Sequence, residues 1–206
     1  FLAWSFTFSG QAPMRLLFLR CFLIALCYDN LVLILGDMGI GTRWYEFANL
    51  LRYGMRAAVI PFLTIFTLSV AQNCRVAFAL NPVFARFCWT FTAIAWCYGM
   101  WQQGALLELE SVQFMDHYRL VSASKTPPWA AIATNVLMLP MALAIWRRAR
   151  WPALFYGSLF VFLLFAAVGS QPWGYIASHG AEVIFICCLL LTERFVIRRY
   201  PQGAAV

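Results

Sequence analysis

Hydrophobic residues fill this chain in six long blocks, each interrupted only briefly by polar side chains before a cluster of Gly, Pro, Asn or Arg ends it. A helix crossing the hydrocarbon core of a bilayer needs about 20 mostly apolar residues. The blocks reach that length and predict helices near 14–36, 47–71, 82–104, 128–147, 151–170 and 176–197. The fold class that follows is all-α: one membrane domain over 1–206, a polytopic bundle of about six transmembrane helices. The breaks have the chemistry of helix ends. Asn81-Pro82 reads as an N-cap followed by proline at the first helical position, Pro127-Pro128 opens the fourth helix, and "RRARWP" forces a tight reversal after it. Gly36, Gly39 and Gly41 loosen the first connection. Pro61 and Pro140 fall inside predicted crossings, where each should kink its helix locally.

Composition sharpens the class. The chain is 63% hydrophobic and 11% charged, whereas a soluble domain is about one-quarter charged. The net charge of +7 does not mark a nucleic-acid binder, because the bases form no solvated stripe with interleaved aromatics. Anionic lipid headgroups are the expected counter-charge. The placement of the bases gives a direction. The N-terminus, the second and fourth connections and the C-terminus together hold ten bases and one acid, Glu193; the other half holds five bases and seven acids. Both termini are therefore expected in the cytoplasm. Fourteen of the fifteen bases are arginine, consistent with a high-GC bacterium, and the expected location is a bacterial inner membrane or a membrane derived from it.

The seven cysteines form no CxxC pair and lie mostly within apolar blocks, where cysteine acts as a small hydrophobe. Neither a disulfide framework nor a zinc site is expected. "FLAWSFTFSG", at the start, lacks the basic flank and cleavage pattern of a complete signal peptide and reads as the end of a helix or an interfacial segment. The longest connection, an outer loop over 103–127, carries Leu106, Leu107, Glu110 and Phe114 at near-helical spacing. The third helix is thus expected to continue beyond the bilayer or to turn onto its surface. Other connections are too short to hold a catalytic domain. Trp44, Trp101, Trp129, Trp146, Trp151 and Trp173 fall near predicted bilayer edges, as interfacial anchors do. The fifth helix lacks acidic, basic and histidine side chains, and its Gly157, Ser158, Ala166, Ala167 and Gly169 suit close packing.

Against this background the buried polar residues need a reason. Asp29 and Asn30 sit within the first apolar block, where an aspartate costs about 2.5 to 3.5 kcal/mol on insertion scales. If the first two helices form a hairpin turning near 40–43, Asp29 lies level with Arg52 and Arg56, which share one face of the second helix. An Asp29 to arginine pair, a clasp or an ion site, is the expectation, with Asn30 bonding to a neighbouring helix. Arg20, half a helical rotation from Asp29, should instead snorkel to the headgroups. His179 and Glu182, at i and i+3, form half of a metal or acid-base site. Together with Glu108, Glu110, Asp116 and His117 of the long loop they make an outer polar cluster able to offer oxygen and imidazole ligands. Whether it holds a metal is left open, and no cofactor is expected.

Several enzyme classes lack their signatures here: there is no Walker loop, no aspartate-rich prenyl-diphosphate motif and no Ser-His arrangement typical of rhomboid proteases. Three functions remain. The first is a non-catalytic accessory or structural subunit of a larger membrane complex, with other membrane subunits as partners. The second is a small transporter or ion- or proton-conducting protein. The third is a lipid-active enzyme of the outer leaflet. A transporter with internal symmetry would show paired broken helices in its two halves, a pattern not evident in this sequence.

Overall fold

A computed structural model of the chain describes residues 1–8, 13–114, 117–124, 126–169, 171 and 173–200. In chain order the helices are α1 (Leu2–Phe6), α2 (Pro13–Ile34), α3 (Gly36–Gly39), α4 (Arg43–Val59), α5 (Leu63–Asn73), α6 (Pro82–Met100), α7 (Trp129–Ala149), α8 (Ala153–Val168) and α9 (Gly174–Arg199). Two strands, β1 (Leu109–Phe114) and β2 (His117–Ser122), lie between α6 and α7. Three helices are long and apolar enough to cross a membrane: Met14–Ile34, Arg43–Asn73 taken through α4 and α5, and Trp129–Ala149. The apolar α8 is shorter, at 16 residues.

Helices occur where the apolar blocks predict them, with boundaries set by local chemistry. The second begins at Arg43 rather than near 47, because Thr42 is extended (φ −101°) and the helix starts directly after it. Pro61 interrupts the α-helical bonding there: a 3-10 turn over Ile60–Phe62 separates α4 from α5, since proline has no N–H to donate. Pro140 has a milder effect, and α7 runs through it. Asn81 caps α6 by accepting from the Val83 N–H at 2.8 Å, with Pro82 at the first position. Arg150 ends α7 in the left-handed region (φ 58°), and α8 follows two residues later.

Within the bundle α5 packs against α2, α6, α7 and α9. Leu19, Leu154, Leu189, Met138, Met141 and Ile145 are fully buried among these helices and α8. The expected close packing of the fifth helix holds for its first half. A Cβ at Gly157 would lie 2.7 Å from the Cys188 Cβ, so α8 meets α9 where only glycine fits. Ala166, Ala167 and Gly169 are exposed. Trp151 is no interfacial anchor: it stacks on Phe195 at 4.5 Å and donates from Nε1 to Thr192 at 3.1 Å. Trp44, Trp101, Trp129 and Trp173 are exposed as expected.

The long connection departs most from expectation. The third helix continues only as a π turn over Trp101–Ala105; beyond it the chain forms an antiparallel hairpin, pairing Glu110 with Val121 and Val112 with Arg119. Val112, Phe114, Tyr118 and Val121 favour strands and outweigh the near-helical spacing of the leucines. The hairpin rests on the first connection. Gly36, lacking a Cβ, lets α3 approach the Tyr118 carbonyl, and Leu120 is buried with Val32 and Tyr45. The opposite end of the bundle gathers Arg15, Ser69 and Glu193, with the buried thiol of Cys74 pushed up to about 11 by desolvation. These are called below the hairpin end and the terminal end.

Candidate functional site

The polar residues singled out in the first two helices and the last one converge beneath the hairpin. α2 contributes Asp29, one per cent exposed; α4 contributes Arg52 and Arg56, one turn apart; α9 contributes His179 and Glu182, also one turn apart. Arg56 is the centre. Its Nη1 donates to Asp29 Oδ2 at 2.8 Å, and its Nη2 pairs with Glu182 Oε1. Arg52 brings Nε to 3.4 Å from Asp29 Oδ1 and donates from Nη2 to the Leu120 carbonyl of β2 at 3.1 Å. His179 Nδ1 lies 3.3 Å from Glu182 Oε2 and 3.8 Å from Asp29 Oδ2. The cluster thus joins three helices and the hairpin. Ser122 N–H donates to the Tyr53 hydroxyl at 3.2 Å, and Arg119 lies over the Tyr175 ring at 3.8 Å, further tying the hairpin to α4 and α9.

Electrostatics explain why such a cluster is tolerated. Two carboxylates face two guanidiniums, so with a neutral imidazole the group carries no net charge. Burying any one of them alone would cost several kcal/mol. Balance does not mean saturation, however. The His179 to Glu182 contact is too poorly aligned for a good hydrogen bond, and Arg52 Nε likewise lacks one. The Arg56 and His179 side chains remain 26% and 19% exposed. The ligand atoms of Asp29, His179 and Glu182 lie within 4.8 Å of one another, close enough for one cation. Arg56 already takes one oxygen of each carboxylate, so a metal ion would share both acids with its guanidinium.

The remaining candidates are placed elsewhere. Asn30 does not reach a neighbouring helix as expected: it donates to the Leu26 carbonyl of its own helix at 2.8 Å and is exposed. One residue along the helix from Asp29, it is turned by about 100°. Glu108 and Glu110 are exposed, outside the ion-pair cluster. Asp116 lies outside the described residues, as does the side chain of His117, whose backbone begins β2. Arg20, expected to snorkel to the headgroups, meets protein instead, donating to the Ser5 carbonyl of α1 at 3.3 Å.

Sequence reasoning missed a second buried ion pair at the terminal end. Arg15 of α2 grips Glu193 of α9 with two bonds, Nε to Oε2 at 2.6 Å and Nη2 to Oε1 at 2.9 Å, and adds Ser69 at 3.2 Å. A signal for it existed. Glu193 is the one acid among the N-terminus, the second and fourth connections and the C-terminus, and it lies eleven residues after Glu182, three helical turns along nearly the same face.

No protein-family model, curated protein or solved structure matches the chain.

Proposed function

We propose that the chain is a six-span membrane protein with both termini in the cytoplasm of a bacterial cell, serving as a non-catalytic subunit of a larger membrane assembly. The observation that carries this reading is the closure of the cluster around Arg56. A guanidinium that bridges Asp29 and Glu182 fixes α2, α4 and α9 together and leaves no carboxylate of that trio without a cation. Such an arrangement suits a clasp that holds helices in register. Short connections and exposed apolar side chains such as Phe87, Trp89 and Ile94 on α6 fit a chain that meets lipid and neighbouring subunits rather than a soluble substrate. Isolation in mild detergent tests it. Wild-type protein is expected to co-purify with defined membrane partners, and Asp29→Asn to lose them; a monodisperse chain without partners would overturn the reading.

His179 favours a second reading, an ion- or proton-conducting site facing the outer side. It touches both carboxylates and is partly exposed, as a group exchanging protons with solvent must be. Proteoliposome flux that is lost in Glu182→Gln but kept in Arg148→Gln would establish it. The third expectation, a lipid-active enzyme, has less support, since exposed Glu108 and Glu110 stand apart from the ion-pair cluster.

A further inference from the structure

A cavity of about 220 Å³ opens at the terminal end, between α1 and the last turns of α9. Trp4, Thr7 and Phe8 form one wall, and Arg194, Ile197 and Arg198 the other. The first wall is held in place. Trp4 and Phe8 pack edge to face at 5.5 Å, Leu2 and Trp4 lie against the main core, and Arg20 binds the Ser5 carbonyl. The second wall is part of a 26-residue helix. The cavity is therefore bounded by anchored elements, and its lining joins apolar side chains to two arginines.

These guanidiniums have no carboxylate among the described residues to neutralise them. Glu193, the acid nearest to them in sequence, is fully buried and gripped at both oxygens by Arg15. Arg194 instead lies over the Trp4 ring at 6.0 Å. Paired arginines bind phosphate oxygens through geometry that lysine does not reproduce. Trp4, Phe8 and Ile197 would accommodate the apolar part of an amphiphile. The exposed Phe1 and Phe6 extend that apolar surface along α1.

We propose that this cavity binds the phosphate group of an anionic phospholipid, with Arg194 and Arg198 holding the phosphate and Trp4 and Phe8 the adjoining glycerol and first methylenes. The proposal rests on the membrane reading given above and makes it specific: a defined lipid site in place of diffuse attraction to headgroups. Free phosphate offers the same oxygens without the apolar body, so the two sources can be told apart.

The test uses the full chain purified in mild detergent, titrated with short-chain phosphatidylglycerol, with phosphatidylcholine of the same chain length and with inorganic phosphate. Binding is read by native mass spectrometry. Phosphatidylglycerol is expected to bind in one-to-one stoichiometry, and Arg194→Gln with Arg198→Gln to weaken it by about tenfold or more. The charge-matched pair Arg147→Gln with Arg148→Gln, at the end of α7, is expected to change it by less than about twofold. Should the glutamine pair unfold, Arg194→Lys with Arg198→Lys keeps the charge and is expected to weaken binding measurably, by about threefold. Equal losses in the α9 and α7 variants, or unchanged binding in the lysine pair, would overturn the site. Equal affinity for inorganic phosphate would overturn the lipid assignment in favour of free phosphate. Recovery of the chain in an alkaline wash of membranes would defeat the membrane reading itself, whatever the lipid titration gives.

Discussion

The two ends of the bundle solve the same problem, a buried charge, in different ways. At the terminal end one arginine meets one glutamate in a two-bond grip, with side chains 4% and 0% exposed and Ser69 taking a further donor. At the hairpin end two arginines, two acids and a histidine share contacts, and two of the five side chains keep substantial access to solvent. The first arrangement has a single partner to lose. The second redistributes: with Arg56 removed, Asp29 keeps the Arg52 guanidinium and Glu182 keeps the His179 imidazole beside it. The contrast separates rigidity from adaptability within one pair of helices, since α2 and α9 contribute to both ends.

Mutations can break this contrast in order of size. Glu193→Leu leaves the Arg15 guanidinium buried and unpaired and should cost about 3 to 5 kcal/mol, read as lost thermal stability in detergent. Adding Arg15→Met should restore most of it, because an apolar pair of similar volume is often as stable as the ion pair it replaces. A smaller loss is expected for Arg56→Met, about 2 kcal/mol, since Arg52 and His179 still face the two carboxylates and water reaches the site; a loss exceeding that of Glu193→Leu would refute the redistribution argument. Tyr53→Phe removes the hydroxyl that accepts from Ser122 and should cost about 1 kcal/mol. Its effect should appear first as faster hydrogen exchange in β2, with the terminal end unchanged. Asn30→Ala should stay within about 0.5 kcal/mol, marking Asn30 as a bystander to the cluster.

The positions of the helices were legible because bilayer-length apolar runs depend on local sequence alone. The Asp29 to arginine contact was legible for a related reason: two consecutive helices joined by a short turn have a calculable level. Neither argument orders helices around a bundle. The reach of Arg56 to Glu182, separated by 126 residues, and of Arg15 to Glu193, separated by 178, therefore lay beyond it. The hairpin follows from Val112, Phe114, Tyr118 and Val121, whose preference for extended backbone outweighs the spacing of Leu106 and Leu107. Trp151 was misread because an aromatic at a helix end can turn inward when a partner such as Phe195 is available.

Glu182 and Glu193 stand about 16 Å apart along α9, and each is held by an arginine from a different helix. Two fixings on one rod remove a degree of freedom. A piston stroke of one turn, about 5.4 Å, would tear both acids from their arginines at once, whereas a tilt about the Arg15 to Glu193 grip strains only the looser contacts beneath the hairpin. Motion of α9, where it occurs, should be that of a lever pivoting at its Glu193 end.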